Sequence, residues 1–328
     1  MKKHIYVYLI LYCIGVSSLY SQKNVQVIFD TDMGPDYDDI GAIAMLHALA
    51  DNGECDLLAC VASDAHPLVA PTIDLYNQYY NRGYIPVAKA VESAPNFLAT
   101  NNWNEKLLEQ FPQFYDKKKT YLPATELYRK LLSEAEDKSI TIVTVGFLSN
   151  LEFLLKSSAD KYSQLSGIEL VKAKVKKMVS MAGIFPSGSE FNVNKHPEAA
   201  KYVFDNWPTT ILFSGFEIGK DIRTGESLFE SDDPTCPVAW GYRYNGNTYK
   251  NTIFKTRQSW DQTAVLAAIR NSSEYFYVVG PGAFQTDEKG YNEWNPLNKE
   301  KQHYFLVHKY PFKDIVKVID ELMEYKPK

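Results

Sequence analysis

The stretch Val25–Ala50 reads V-Q-V-I-F-D-T-D-M-G-P-D-Y-D-D-I-G-A-I-A-M-L-H-A-L-A. Its first residues are β-branched and aromatic, which predicts a strand ending at Phe29, and the apolar spacing from Ile40 onward predicts a helix. A loop between a strand and a helix lies at the carboxyl edge of a parallel sheet, where α/β folds place their sites. The loop here carries five aspartates, namely Asp30, Asp32, Asp36, Asp38 and Asp39.

Five carboxylates crowded into ten residues repel each other unless a cation or shared protons intervene. Helix capping and the helix dipole explain one or two of them, but not five. The side-chain donors are carboxylate oxygens, with no His or Cys between them, which suits a hard ion such as calcium or magnesium. The spacing is not that of an EF-hand, because D-x-D-x-D-G and the terminal Glu are absent. We therefore expect a cation site in this loop.

The rest of the chain alternates short apolar runs with amphipathic ones, which predicts a single α/β domain with a mostly parallel central sheet flanked by helices. The predicted strands are Val25–Phe29, Leu57–Ala62, Ile140–Val145, Lys177–Met181, Thr210–Ser214 and Tyr275–Val279. The predicted helices are Ile40–Ala50, Thr72–Tyr80, Thr125–Ala135, Leu151–Lys156, Pro197–Asp205, Asp261–Arg270 and Ile315–Glu324. Asp221–Gln258 is turn-rich and aromatic, and we expect a loop-like insertion that shapes a pocket.

Composition narrows the class of protein further. The chain has 328 residues, 45% of them hydrophobic, which is ample for one large core. Its formal net charge is -5 and it has no basic block, so there is no electrostatic case for binding nucleic acid or an anionic membrane surface. Three cysteines follow the N-terminal segment, without the spacing of a disulfide framework or a zinc site: Cys55, Cys60 and Cys236.

The N-terminal segment has the pattern of a signal peptide. Lys2 and Lys3 precede the almost wholly apolar stretch Ile5–Val16, which is short for a bilayer crossing. We therefore expect residues 1–21 to be cleaved and residues 22–328 to form the mature domain; the alternative is an uncleaved N-terminal anchor. The protein would then be exported, to the periplasm or beyond the cell, with no attachment to the membrane after cleavage.

The segment D-T-D-M-G-P-D-Y-D-D-I-G-A-I-A resembles the N-terminal signature of the inosine–uridine-preferring nucleoside hydrolase family, in its longer variant. Further segments resemble family motifs in the same order along most of the mature chain. They are T-V-G-F-L-S-N within Ile140–Leu155, E-F-N-V-N-K-H-P-E-A-A within Met178–Phe204, and W-D-Q-T-A-V within Ser259–Arg270. The resemblance implies a Rossmann-like nucleoside hydrolase fold and an N-glycosyl hydrolase of the purine or pyrimidine nucleosidase type.

Carried over residue by residue, the resemblance implies a calcium ion bound by Asp32, Asp39, Asp261 and the main-chain carbonyl of Val145. Asp32 would also be the general base that activates water. On the sugar side, Asp38 would lie against the 2-hydroxyl, while Glu190 and Asn192 would hydrogen-bond the ribose hydroxyls. The substrate would be a nucleoside or related ribosyl compound, and the assembly a homodimer or homotetramer.

The leaving-group side departs from the family. Where the inosine–uridine-preferring members have a His that helps protonate the base, this chain has Trp260, which can stack on a base but cannot act as an acid. Asp64 or His66 takes the place of a family Asn near the ribose, and we consider His66 a candidate for lining the pocket. Further candidates for activating the leaving group are Tyr242, Tyr244 and Arg257.

The expected function is thus calcium-dependent hydrolysis of an N-glycosidic bond. Trp260 keeps open a second interpretation, a calcium-dependent nucleoside- or sugar-binding protein without turnover. A phosphotransferase is the other enzymatic alternative, since D-x-D after a strand also opens haloacid-dehalogenase-like phosphatases. Those carry D-x-D-G-[TV], whereas Met33 precedes Gly34 here.

Overall fold

The structure, a computed structural model, describes residues 23–97, 99–248 and 255–327. The predicted signal peptide, residues 1–21, lies outside the described residues. The strands are β1 (Val25–Thr31), β2 (Cys55–Ala62), β3 (Val87–Lys89), β4 (Leu122–Pro123), β5 (Ile140–Thr144), β6 (Val175–Met181), β7 (Ser187–Ser189), β8 (Thr210–Ser214), β9 (Arg223–Thr224), β10 (Arg257–Gln258), β11 (Phe276–Thr286), β12 (Tyr291–Asn295) and β13 (His303–His308).

Helices alternate with these strands along the chain. They are α1 (Asp38–Asp51), α2 (Val69–Tyr79), α3 (Trp103–Gln110), α4 (Ala124–Glu134), α5 (Ser149–Lys156), α6 (Gly167–Lys174), α7 (Phe191–Asn194), α8 (Pro197–Asn206), α9 (Phe216–Asp221), α10 (Glu226–Glu230), α11 (Pro237–Thr248), α12 (Trp260–Ile269), α13 (Ser272–Tyr275) and α14 (Lys313–Met323). Within the described residues, no helix is long and apolar enough to cross a bilayer.

The main sheet has eleven strands in the described part of the chain, in the order β4-β3-β2-β1-β5-β6-β8-β13-β11-β12-β7. Neighbouring strands from β4 to β13 are parallel, and the three pairings beyond β13 are antiparallel. The fold is therefore a single α/β domain with a mostly parallel sheet flanked by helices, which confirms the predicted class. The chain runs outward from β1 to β4 and then returns to β5 on the other side of β1, so the strand order switches beside β1.

The core lies on both faces of the sheet, because successive side chains of a buried strand point to opposite sides. Val27 and Phe29 pack on one face with α1, α2, α12 and α14, while Ile28 packs on the other with α4, α5, α6 and α8. Helix α1 is buried from Asp38 to Leu49, consistent with its nearly continuous apolar sequence after the two aspartates.

All the predicted strands and helices are present in the structure, with ends shifted by at most three residues except in β11, which continues seven residues beyond the predicted end to Thr286. The prediction for Asp221–Gln258 is wrong, because this segment contains α10, α11 and the β9–β10 pair. Pro237 begins α11, where a proline is tolerated, and Trp240 and Tyr244 stack one turn apart with ring centroids at 4.7 Å. Trp240, Tyr242 and Tyr244, three of the aromatic residues behind the loop prediction, thus belong to a helix.

Candidate active site

A cavity of about 260 Å³ opens at the carboxyl edge of the sheet. The loops after β1, β5 and β6 and the first residues of α9 and α12 surround it. This is the place where the strand order switches, so the loops after β1 and β5 leave in different directions and open a crevice. The cavity is lined by Asp32, Pro35, Asp36, Asp38, Val145, Met181, Ile184, Ser189, Glu190, Phe191, Asn192, Phe216, Trp260 and Asp261.

Two contacts from α3 hold the acidic loop in shape. The indole nitrogen of Trp103 donates to the Gly34 carbonyl at 3.0 Å, and the Asn104 amide donates to the Met33 carbonyl at 3.0 Å. Both side chains are buried, so these bonds satisfy loop carbonyls that would otherwise lose their water contacts. The loop is therefore fixed by protein contacts on the side away from the cavity.

Gly146 lets the loop after β5 lie directly against the loop after β1. A Cβ at this position would stand 2.6 Å from the Asp32 backbone nitrogen and 2.7 Å from the Asp32 Cβ. Such distances are shorter than real Cβ contacts, so a side chain here would force the two loops apart. Glycine therefore allows Asp32 and Val145 to share one wall of the cavity.

Asp30, the first aspartate of the loop, does not line the cavity. Its Oδ2 accepts hydrogen bonds from the Tyr128 hydroxyl at 2.8 Å and the Asn150 amide at 3.1 Å. Burial raises the pKa of Asp30 to about 7, against the opposing effect of these bonds. Asp30 thus joins β1 to α4 and α5 and shapes the loop from behind.

The remaining carboxylates crowd in the loop after β1 and at the N-termini of α1 and α12. Asp32, Asp38 and Asp261 line the cavity, and the Asp261 backbone nitrogen donates to Asp38 Oδ2 at 3.4 Å. Asp39 lies just behind them and accepts a hydrogen bond from the Thr31 hydroxyl. Burial, followed by the charge of Asp39, raises the pKa of Asp32 well above its usual value. The same effects, with Asp38 as the leading neighbour, raise the pKa of Asp261 and bring that of Asp39 to about 7.

The carboxylate oxygens in this part of the cavity suit a hard cation, because their like charges repel each other when no cation is present. The Val145 carbonyl adds a main-chain oxygen on the same wall. As the side chains stand, however, the described residues include no group of three or more Asp, Glu, His or Cys placed as metal ligands. Cation binding would require Asp32, Asp39 and Asp261 to converge.

Glu190 and Asn192 form a rigid polar wall opposite the aspartates. Glu190 accepts the backbone N–H groups of Asn192 at 2.9 Å, Gly183 at 3.2 Å and Val193 at 3.3 Å. Burial raises the pKa of Glu190 to about 7, although these bonds oppose the shift. The Asn192 amide nitrogen donates to the carbonyls of Val145 and Met181, both at 3.1 Å. Both of its hydrogens are thus taken, and Asn192 Oδ1 is left to accept a hydrogen from a ligand.

The other half of the cavity is aromatic and aliphatic. The Trp260 ring stacks on Phe216 with centroids 5.2 Å apart, and its indole nitrogen donates to the Phe216 carbonyl at 2.7 Å. Phe191 and Ile184 complete this wall. Among the described residues that line the cavity there is no His, Tyr, Cys or Lys. This half can pack against a flat apolar group, but its described residues offer none of the usual neutral-pH proton donors.

Arg257 contacts both halves from behind. Its guanidinium donates to Asp36 Oδ2 at 2.7 Å and to Asp38 Oδ1 at 2.8 Å, and its Cζ lies 4.8 Å and 5.0 Å from the ring centroids of Tyr37 and Trp260. Burial opposes the charge, yet the Asp36 and Asp38 carboxylates raise the Arg257 pKa, so this residue is no proton donor. The sequence marked Arg257 as a candidate but could not indicate these partners.

Three other candidates lie elsewhere. His66 does not line the cavity; it lines a second pocket of about 300 Å³, where Asp64 accepts its backbone N–H at 2.6 Å. Tyr242 is buried and its hydroxyl accepts from the Gln262 amide at 3.1 Å. The Tyr244 hydroxyl donates to the Asn101 carbonyl at 2.9 Å. Each is thus engaged outside the main cavity.

Two lining residues, Phe216 and Phe191, had no signal in the sequence beyond their position beside a strand or motif.

The fold and the site define a parallel α/β protein whose acidic, half-aromatic cavity opens at a switch in strand order. The comparison with protein families then gives the particular group. The chain belongs to the inosine–uridine preferring nucleoside hydrolase family, whose model matches residues 27–301. The family predicted from the ordered motifs is thereby confirmed.

Individual relatives agree with this assignment. Over 81 residues the chain is 36% identical to the pyrimidine-specific ribonucleoside hydrolase RihA of Photobacterium profundum, and the match covers 25% of this chain and 24% of that protein. The chain therefore spans about a quarter of the length of this relative. A plant nucleoside hydrolase, PpNRh1, superposes with a TM-score of 0.71 at 20% identity, covering 91% of this chain and 98% of the other. A purine-preferring ribonucleoside hydrolase from Gardnerella vaginalis gives 0.70 at 15% identity, covering 91% and 98%. At these identities the two structures show a shared fold.

Proposed function

We propose that this protein is a calcium-dependent hydrolase of N-glycosidic bonds that releases the base from a ribonucleoside or a related ribosyl compound. The observation that carries the proposal is that one cavity brings together the residues proposed to hold the cation and those proposed to hold the sugar. Asp32, Asp38, Asp261 and the Val145 carbonyl come from one side, and Glu190 and Asn192 come from the other. These residues lie up to 229 positions apart in the chain, as Asp32 and Asp261 do (261 minus 32), and the fold brings them together.

Asp32 is the proposed general base. The Asp32 carboxylate would take a proton from water, and the water oxygen would bond to the anomeric carbon. The C–N bond would break, and its electron pair would leave with the nucleobase. The departing nucleobase takes up one proton from solvent and Asp32 returns its proton to solvent, so that ribose and the free nucleobase are the products. A calcium ion held by Asp32, Asp39, Asp261 and the Val145 carbonyl would supply Lewis-acid chemistry, lowering the pKa of a bound water.

The sugar-side residues would orient the ribosyl group. The Asp38 carboxylate faces the cavity and could accept from the 2-hydroxyl, as the family resemblance implies. Asn192 Oδ1 is the free acceptor of its amide, and the Glu190 carboxylate lines the cavity beside it. Because these groups are already fixed by protein contacts, little ordering is needed when the sugar binds.

The leaving base would lie against Trp260, Phe191 and Ile184. An aromatic wall suits any flat base, and it does not by itself choose between purine and pyrimidine. The relatives include a pyrimidine-specific and a purine-preferring hydrolase. The experiment is therefore a panel of purine and pyrimidine ribonucleosides, assayed for reducing sugar in calcium-containing buffer and again after chelation.

Release of ribose from at least one nucleoside, lost on chelation and restored by calcium, is the expected result. Ribose release that chelation leaves untouched would overturn the calcium dependence while retaining the hydrolase. Phosphate release from a phosphorylated ribosyl compound, without ribose release, would favour a phosphotransferase.

A second candidate is a calcium-dependent nucleoside- or sugar-binding protein without turnover. The observation that favours it is Trp260, together with the absence of His from the described residues of the cavity wall. Tight binding of a nucleoside by calorimetry, with no ribose formed over long incubation, would establish this alternative and reject the hydrolase.

We also propose that residues 1–21 direct export, to the periplasm or outside the cell, and that the mature protein assembles as a homodimer or homotetramer. A mature N-terminus at Gln22, measured by mass spectrometry of the exported protein, supports the first proposal. Light scattering of the mature protein tests the second, and a monomer would reject it.

A further inference from the structure

Arg257 contacts two parts of the cavity at once. One is Asp38, proposed to recognise the sugar, and the other is Trp260, proposed to contact the base. Its side chain is 13% exposed, and that of Asp38 is 2% exposed, so water screens their ion pair only weakly. An ion pair of this kind restrains both partners more than a pair on the open surface does.

The geometry restricts Asp38 in particular. Arg257 Nη2 and Nε both donate to Asp38 Oδ1, at 2.8 Å and 3.2 Å, while the Asp261 backbone nitrogen lies 3.4 Å from Asp38 Oδ2. Two Arg257 nitrogens donate to Oδ1 and the Asp261 backbone nitrogen lies next to Oδ2. The Asp38 carboxylate therefore has little freedom to rotate. A lysine has one point charge and cannot reproduce the two donors in a fixed plane.

The same guanidinium lies over the rings of Tyr37 and Trp260, at 4.8 Å and 5.0 Å. Tyr37 directly precedes α1, and Trp260 is the first residue of α12. The Arg257 head group therefore touches the beginnings of both helices that carry the clustered carboxylates. Phe216 stacks with Trp260 as well, and Gly219 allows α9 to approach, since a Cβ there would stand 2.5 Å from the Trp260 backbone nitrogen.

We propose that Arg257 is a positioning and specificity-determining residue that fixes the Asp38 carboxylate for the sugar 2-hydroxyl and seats Trp260 for the base. This inference rests on the proposed function for the identity of the ligand, but it concerns binding and does not need turnover. It requires that one substitution weakens recognition of both the sugar and the base. It also requires a loss of preference for ribose over 2-deoxyribose, because a loosely held Asp38 no longer distinguishes them.

The experiment measures binding of ribose, 2-deoxyribose and adenine by calorimetry in calcium-containing buffer, for wild type, Arg257→Met and Arg257→Lys. The matched control is Arg270→Met, because Arg270 makes a two-donor ion pair with Glu54 at the other end of α12. We expect Arg257→Met to lower ribose affinity by about tenfold and adenine affinity severalfold, the sizes of a lost charged hydrogen bond and a lost ring contact. The ratio of ribose to 2-deoxyribose affinity should fall towards one, and the control should match wild type.

Three results with the variants would overturn the inference. Unchanged affinities in Arg257→Met mean that Arg257 has no role in recognition, and a loss confined to sugar or to base means that it does not connect the two. Full restoration by Arg257→Lys shows that charge alone suffices. If Arg257→Met fails to fold, Arg257→Lys and an Arg257→Gln variant, compared with the control by melting temperature, supply the test. Wild-type protein that binds these ligands but releases no ribose from the panel of nucleosides counts against the proposed function only. Wild-type protein that binds none of the ligands overturns both.

Discussion

The two halves of the cavity are built in different ways. In the polar half, Glu190 and Asn192 make hydrogen bonds to five main-chain groups, so their orientation is set before any ligand arrives. In the aromatic half, Trp260, Phe216 and Phe191 present ring surfaces, with one hydrogen bond from the indole. Hydrogen bonds fix direction, whereas apolar packing fixes shape. The first half is therefore suited to one sugar geometry and the second to a range of flat groups.

The largest effect is expected in the polar half, from Asp32→Asn. The amide cannot take a proton from water, so kcat for ribose release should fall by roughly 10²–10⁴-fold. Asp30→Asn is the matched control, because Asp30 is a buried aspartate two residues away whose bonds to Tyr128 and Asn150 both reach one oxygen. An asparagine oxygen can accept both, and activity should stay near wild type. Equal activity in Asp32→Asn would refute its assignment as the base.

Asn192→Ala should come next. It removes the free acceptor Oδ1 and leaves the Val145 and Met181 carbonyls without their amide partner, so kcat/KM should fall by about 10–100-fold, mainly through KM. Asn194→Ala serves as the control, since the Asn194 amide donates to the Ser189 hydroxyl in the exposed part of the same turn. A loss of equal size in both variants would show that the turn, and not the Asn192 amide, is responsible.

The pH dependence of ligand binding to the wild-type protein distinguishes the polar half of the cavity from the aromatic half. In the proposed function the ionised form of Glu190 would accept from sugar hydroxyls, and burial raises its pKa to about 7. Ribose affinity should therefore rise severalfold as pH increases from below to above 7, and then level off. Adenine binding should stay flat, because the aromatic wall formed by Trp260, Phe216 and Phe191 does not titrate there. Calorimetry across this range is the measurement, and a Glu190→Gln variant whose ribose affinity still rises would assign the dependence elsewhere.

The smallest effect is expected from Trp260→Phe. The smaller ring keeps an aromatic surface but loses the bond to the Phe216 carbonyl, so kcat/KM should fall by only about 2–10-fold. Trp240→Phe is the control, because Trp240 stacks on Tyr244 in α11 and does not line the cavity. A loss of three orders of magnitude in Trp260→Phe would contradict the view that the aromatic half acts by packing.

Local patterns predict the parallel part of the fold well. β1, β2, β5, β6 and β8 are largely apolar runs with turns at each end, so sequence periodicity locates them. The short strands β12 and β7 are harder, because a few polar residues such as Ser187–Ser189 form a strand only through the neighbour they pair with. Helix α11 was missed because its aromatic residues and two glycines are typical of a loop when its packing partners are unknown.

The residues of the candidate site also divide into those that local sequence motifs predict and those that they do not. Asp32, Asp38 and Asp39 belong to one dense motif, and the order of the later motifs indicated Val145, Glu190, Asn192 and Asp261. Whether these residues have the proposed roles stays a prediction. The link from Arg257 to Asp38 joins positions 219 residues apart, and nothing local in either segment indicates it. His66 was expected near the ribose from its place after β2, but the backbone N–H bonds that Asp64 accepts from His66 and Phe97 turn this loop into another pocket.

The hairpin formed by β11 and β12 determines when the cavity can form during synthesis of the chain. β12 pairs with β7 just before Glu190, and the buried Asn292 exchanges two hydrogen bonds with the backbone of Ile184, at 2.9 Å and 2.7 Å, on the cavity rim. A ribosome extends the chain from the N-terminus, so the acidic loop emerges before Asp261 and Asn292. A nascent or prematurely terminated chain thus carries most of the carboxylates but not the finished cavity.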